Sequence, residues 1–273
     1  LNLGINSFAA NGTEIGLAVD NSRAAFFSDV DNDGAADLIV GNSGQTNQLY
    51  LNNGNASFAS TGTAIGSESD LTGSLAYGDV DGDGNFDLIA GNYGQTNKFY
   101  LSDGIGADLD DTNSVKIGDV DGDGNLDLVA GNDGQTNKFY LNDGNGGFSN
   151  ASSIGTETDN SSSVLLADVN GDDNLDFIVG NDAQANTLYL NDGAGGFSVG
   201  TSVGNEADST LSIVLGDVDG DGDSDLVAGN NGQTNKLYLN DGSGIFSATG
   251  VDIGSELDST RSINLSDIDG DGD

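Results

Sequence analysis

Apolar residues recur two apart just ahead of each of six acidic loops, as in Leu75 and Tyr77, Val115 and Ile117, or Ile263 and Leu265. Alternation with a period of two predicts half-buried strands, and no stretch of the chain carries a helical period. In the fifth copy the pattern predicts a first strand over 212–218, a second over 225–229 and a third over 235–239. After the turn Asn240-Asp241-Gly242-Ser243-Gly244, residues 245–253 are expected to form a fourth strand that ends before Gly254. Short strands divided by Asn, Asp and Gly turns argue for an all-β chain.

The acidic loops set the repeat. They follow the form D-x-[DN]-x-D-[GD]-x-x-D and begin at Asp29, Asp79, Asp119, Asp168, Asp217 and Asp267, spaced 50, 40, 49, 49 and 50 residues apart. Four antiparallel strands repeated at that interval describe the blade of a β-propeller. The expected architecture is a single domain over 1–273 with repeats near 1–50, 51–100, 101–140, 141–189, 190–239 and 240–273. Phasing the repeats predicts a chain that opens on a fourth strand and stops after a first, five full repeats and a partial one, as in an incomplete six- or seven-bladed ring. The third copy is ten residues shorter and lacks the Phe-bearing segment seen at Phe58, Phe148, Phe197 and Phe246, so one blade is expected to have three strands.

Each loop reads as a cage for a hard cation. Carboxylates at positions 1, 3, 5 and 9 plus a main-chain carbonyl at position 7 supply most of the six to eight oxygens that calcium takes. The first copy offers Asp29, Asp31, Asp33 and Asp37 with the carbonyl of Ala35; the second, Asp79, Asp81, Asp83 and Asp87 with Asn85. The third offers Asp119, Asp121, Asp123 and Asp127 with Asn125, and the fifth Asp217, Asp219, Asp221 and Asp225 with Asp223. The fourth departs, with Asn170 at position 3 and Asp173 in place of glycine at position 6, beside Asp168, Asp172, Asn174 and Asp176. Weaker binding is expected there, because an amide oxygen is neutral and Asp tolerates a left-handed backbone less well than Gly. The sixth holds Asp267, Asp269 and Asp271, reaches position 7 at Asp273, and has no fourth carboxylate. An EF-hand is excluded at position 12, where its bidentate acid is replaced by Val40, Ala90, Ala130, Val179 and Ala228.

Composition narrows the remaining classes. Forty-five acids against six bases leave a net charge of −39, which makes nucleic acid or an anionic membrane a poor partner. The chain has no Cys and no His, so disulfides, zinc sites and most nucleophilic dyads fall away. No apolar run approaches the length that inserts in a membrane.

The segments DVDGDGNLDLVAGN over 119–132 and GQTNKFYLNDGNGGF over 134–148, with counterparts along nearly the whole chain, resemble the FG-GAP/VCBS repeat family. Its best-known members form the headpiece propeller of integrin α subunits, and the GQTN and NDG segments resemble the bacterial VCBS branch. The resemblance implies calcium between the first two strands of each blade and a role in adhesion, carbohydrate binding or surface scaffolding. Literal FG and GAP motifs are absent, so integrin-type partner binding is not carried over.

In an up-and-down meander the acidic loop and the NDG turn share one rim. The other rim gathers the GNxGQTN turn and the connection to the next blade, where Glu and Asp recur two apart, as at Glu68 and Asp70. Two readings stand for that rim. Gln45, Gln95, Gln135, Gln184 and Gln233, with Asn47, Asn97, Asn137, Asn186 and Asn235, either bind sugar hydroxyls or close turns. Tyr93 is the single aromatic in those turns, while Tyr50, Tyr100, Tyr140, Tyr189 and Tyr238 on third strands are expected in the core. The expected function is a calcium-binding recognition module, outside the cell or on its surface, for glycan or a cell-surface protein. The alternative is a purely structural repeat stiffened by calcium. An enzyme such as a polysaccharide lyase or hydrolase ranks last, since catalysis needs unequal groups and these carboxylates come in matched sets.

Overall fold

A computed structural model describes residues 15, 20–30, 33–52, 54, 58–80, 87–100, 110–144, 147–149 and 151–266. The described residues form five antiparallel sheets and no helix, so none is available to cross a membrane. The first sheet contains β1 (Ser22–Ser28), β2 (Asp37–Asn42), β3 (Asn47–Tyr50) and β4 (Thr63–Ile65) in sequential order. The second has three strands, β5 (Thr72–Gly78), β6 (Asp87–Asn92) and β7 (Lys98–Tyr100). Then follow β8 (Thr112–Gly118), β9 (Asp127–Asn132), β10 (Asn137–Tyr140) and β11 (Ser152–Ile154). The fourth sheet holds β12 (Ser161–Ala167), β13 (Asp176–Asn181), β14 (Asn186–Tyr189) and β15 (Thr201–Val203). The fifth holds β16 (Thr210–Gly216), β17 (Asp225–Asn230), β18 (Asn235–Tyr238) and β19 (Val251–Ile253).

Second strands are buried along their whole length, as central strands packed on both faces must be. The core therefore lies between neighbouring sheets. One cluster joins Ile89 and Phe99 to Val115 and Leu128; the next joins Phe139 and Ile154 to Val164 and Phe177; a third joins Ile178 and Leu188 to Ile213 and Leu226. Close approach demands glycine near the end of the second strand: a Cβ on Gly91 would lie 2.8 Å from Val115 Cγ1 in the adjoining sheet. The third-strand tyrosines Tyr50, Tyr140, Tyr189 and Tyr238 are buried, as their place in the alternation predicts.

Two strand expectations are corrected. The fourth strand of the fifth repeat, expected over 245–253, is only Val251–Ile253. Phe246 instead bridges back to Asn240 and packs into the core, so residues 245–250 serve as a packed connection. Around Ile263 and Leu265 a first strand was expected, yet residues 261–266 pair into no sheet among the described residues. That segment lies along the fifth sheet, with Ile263 N–H donating to Ser212 Oγ at 3.3 Å. The opening strand expected before residue 20 falls outside the described residues, apart from Ile15.

Candidate metal centres

Each of the first five acidic loops follows a first strand and re-enters the sheet at the position-9 aspartate, which is the first residue of the second strand. Asp37, Asp87, Asp127, Asp176 and Asp225 are all buried. A buried carboxylate is stable only if its oxygens are satisfied, and these are. Asp127 Oδ2 accepts the N–H of Val120 at 2.8 Å and its Oδ1 accepts that of Asn142 at 2.8 Å. The same pair of bonds recurs at Asp37 with Val30 and Asn52, at Asp176 with Val169 and Asn191, and at Asp225 with Val218 and Asn240. One side chain thus ties the loop to the sheet and to the NDG turn.

The position-1 aspartate organises the loop from its other end. Asp119 Oδ1 accepts N–H groups of Gly122 and Asp123 at 2.7 and 3.1 Å, and its Oδ2 accepts Gly124 N–H at 2.9 Å. To aim those donors inward the chain turns left-handed at position 6, where Gly124 has φ +92°. Asp168 makes the same three bonds in the fourth loop at 2.8, 3.2 and 2.8 Å, although Asp173 must adopt φ +67° there. In the first loop Asp29 accepts from Asp33 and Gly34.

Among the described residues, loop folding brings three carboxylates together in two places. Oxygens of Asp119, Asp121 and Asp127 lie within 4.8 Å of one another, and so do those of Asp217, Asp219 and Asp225. An ion bonded to oxygens at about 2.3 to 2.6 Å spans ligand pairs up to about 5 Å apart, so both clusters fit a hard cation. The donors are all oxygen, which suits calcium better than softer metals. Asp123 and Asp221 fall outside these groups of three and accept N–H from Asn125 and Asp223 at 2.8 and 3.0 Å.

Charge crowding registers on these groups. Burial, then the carboxylates of Asp121 and Asp123, push Asp127 up to about 6 against the N–H bonds that oppose the shift. Asp121 is raised by burial and by Asp123 and Asp119; Asp219 is raised by desolvation and by Asp221. The fourth loop behaves oppositely at Asp172, which Asn174 N–H and then the Asn170 amide hold below its ordinary value. Asn170 Nδ2 donates to Asp172 Oδ2 at 3.0 Å, so the loop is partly neutralised from within.

Of the remaining expected ligands, Asp29, Asp33, Ala35 and Asp37 lie in the described part of the first loop, with Asp31 outside it. In the second loop Asp79 and Asp87 are described, while Asp81, Asp83 and Asn85 are not. All of the sixth loop, Asp267, Asp269, Asp271 and Asp273, lies outside the described residues. Reading the loops alone missed a clamp between sheets. Asn142 Nδ2 donates to Val80 O at 2.7 Å, Asn191 Nδ2 to Val120 O at 2.8 Å, and Asn240 Nδ2 to Val169 O at 2.9 Å. Each NDG asparagine thereby ties its own turn to the acidic loop of the preceding sheet, and the recurrence of NDG was the available signal.

On the opposite rim the amides are engaged within the turns. Gln95 Oε1 accepts Leu71 N–H at 2.6 Å while its Nε2 donates to Asp70 at 3.1 Å; Gln184 and Gln233 are used in the same way. Asn47, Asn97, Asn137 and Asn186 are buried, and each accepts a main-chain N–H across its turn. These side chains close turns. Tyr93, 41% exposed, instead borders a depression of about 270 Å³ shared with Arg23, Leu71 and Asn113.

The profile of the FG-GAP-like repeat matches residues 29–90, 119–179, 168–228 and 217–273, each match beginning at the first aspartate of an acidic loop. The chain belongs to the FG-GAP-like repeat family. Among solved structures it is similar to BBS1N in complex with ARL6DN, soaked with lead (14% identity, TM-score 0.54, 80% of this chain and 65% of that one). It is similar also to the same complex soaked with mercury (12% identity, TM-score 0.54, 91% of this chain and 84% of that one). At such identity the likeness establishes a β-propeller type of fold and nothing more. Thus the FG-GAP-like chain spans just under two thirds of the length of the first of these neighbours. No curated protein matches it significantly.

Proposed function

We propose that this FG-GAP-like chain is a calcium-stabilised recognition module of the VCBS type that works outside the cell. The observation that carries the reading is the pair of oxygen-only clusters, Asp119 with Asp121 and Asp127, and Asp217 with Asp219 and Asp225. Calcium at these clusters supplies positive charge that offsets carboxylate repulsion. The chain's own contribution is a loop preformed by the position-1 and position-9 aspartates, so binding orders little that is not already ordered. Affinities of about 10⁻⁴ to 10⁻³ M are usual for extracellular modules and suit a calcium-rich surrounding. The ion favours the native state by mass action. Chelation with EDTA is therefore expected to lower the melting temperature markedly, and an unchanged melting curve overturns the calcium reading.

For recognition, the depression beside Tyr93 is the better-equipped surface. It pairs the exposed faces of Tyr93 and Leu71 with the polar groups of Arg23 and Asn113, a mixture that suits a saccharide. A glycan array probed with the calcium-loaded chain is expected to give hits that Tyr93→Ala abolishes. Uniform silence of the array supports the structural alternative, a calcium-stiffened spacer in a larger surface protein. The reading assigns no catalytic step to any residue.

A further inference from the structure

The whole chain contains six basic side chains, and three of them, Arg23, Lys116 and Arg261, line one cavity. The cavity measures about 600 Å³ and is walled by the first strands β1, β5, β8, β12 and β16 together with Arg261 and Ser262. Among the described residues that line it there is no acid. A chain in which acids outnumber bases more than sevenfold has inverted that ratio in one place.

The repeat does not explain the inversion. Arg23 and Arg261 stand six residues before Asp29 and Asp267, a position filled elsewhere by Gly73, Asn113, Ser162 and Leu211. Lys116 stands three before Asp119, where the other copies carry Phe26, Ala76, Leu165, Val214 and Asn264. Departures at two separate repeat positions, in three different copies, converge on the same space.

The walls add neutral donors. Ser74 Oγ accepts Val115 N–H at 3.1 Å, Ser114 Oγ accepts Val164 N–H at 3.1 Å, and Ser163 and Ser212 do the same for Ile213 and Ile263 at 3.3 Å. A hydroxyl oxygen that accepts a main-chain bond keeps its own hydrogen to donate. Two ion pairs among the described residues lie elsewhere, Lys138 with Asp110 and Lys236 with Asp252. Burial pushes the Lys116 ammonium below its ordinary range, with no carboxylate acting to restore it. A buried cation without a counter-charge is costly, and the cost falls when an anion joins it.

We propose that this cavity binds a small oxyanion carrying two or more negative charges, held by Arg23, Lys116 and Arg261 with serine hydroxyls donating to its oxygens. Guanidinium groups match the planar spacing of carboxylate and of sulfate or phosphate oxygens. The cavity shares Arg23, Gly73 and Asn113 with the depression beside Tyr93, so it reaches the turn rim. The site depends on neither calcium nor a saccharide.

The test is isothermal titration of the calcium-loaded 273-residue chain with sodium sulfate and with tricarballylate, at ionic strength matched by sodium chloride. One saturable site per chain is expected for at least one probe. Sulfate alone points to an inorganic oxyanion, and tricarballylate alone to an organic polyacid. Arg23→Gln and Arg261→Gln, both at exposed side chains, are expected to weaken binding at least tenfold, as is Lys116→Gln if it folds. Lys236→Gln, outside the cavity, is expected to leave it unchanged, and calcium stoichiometry should hold throughout. Absence of saturable binding for both probes at millimolar concentration overturns the proposal, and so does binding that both arginine variants leave intact.

Discussion

In the third acidic loop Asp119, Asp121 and Asp127 gather three carboxylate oxygens within 4.8 Å, whereas in the fourth Asn170 fills the middle position and gives its amide to Asp172 at 3.0 Å. The two loops nevertheless fold alike. Asp168 repeats the three bonds of Asp119, and Asp176 repeats the two bonds of Asp127. Their shape therefore comes from main-chain N–H groups donating to positions 1 and 9, and position 3 decides whether a third carboxylate joins the cluster. The electrostatics agree at position 9, where burial raises both Asp127 and Asp176, and part at position 3, where Asp121 is raised by burial and by its neighbours while Asn170 is neutral.

The largest effect is expected where the two loops agree. Asp127→Ala orphans the N–H groups of Val120 and Asn142, at about 1 to 3 kcal/mol for each buried donor, and Asp176→Ala should cost a similar amount. Chemical denaturation of both variants in EDTA checks this. A negligible loss in both variants in EDTA, where no metal is bound, would mean that the metal, and not the hydrogen bonds, shapes the loop. Next comes the position where they differ: Asn170→Asp is expected to raise calcium stoichiometry by one and Asp121→Asn to lower it by one, as counted by equilibrium dialysis. Unchanged stoichiometry in both variants would erase the distinction drawn here. The smallest effect concerns backbone strain, because the fourth repeat holds the two non-glycine residues with positive φ among the described residues, Asp173 at 67° and Ala183 at 60°. Left-handed backbone costs an L-residue about 1 to 2 kcal/mol. Asp173→Gly and Ala183→Gly should each raise the melting temperature, Ala183→Gly by more, since Asp accepts that conformation more readily.

Much of this was legible along the chain. Alternation placed the first strands and the run after each loop placed the second, since strands packed on both faces leave an unbroken apolar signature. The expected fourth strand at 245–253 misled because Phe246 is apolar for a different reason: it plugs the core from a connection that makes one isolated bridge, to Asn240, outside the strands. Gln95 and its equivalents were chemically fit for sugar, yet both ends of the amide are taken by Leu71 and Asp70, residues 24 and 25 positions away.

Local chemistry is what the sequence determined by itself: which loops carry carboxylates at cation spacing, where left-handed turns need glycine, and how often the unit repeats. Such features act within about ten residues, so their spacing is their structure. Tertiary packing decided which polar groups remain free and which unlike copies share a space. Arg23, Lys116 and Arg261 meet around one cavity because first strands from every sheet line it, and an arrangement built across repeats leaves no trace in any single one.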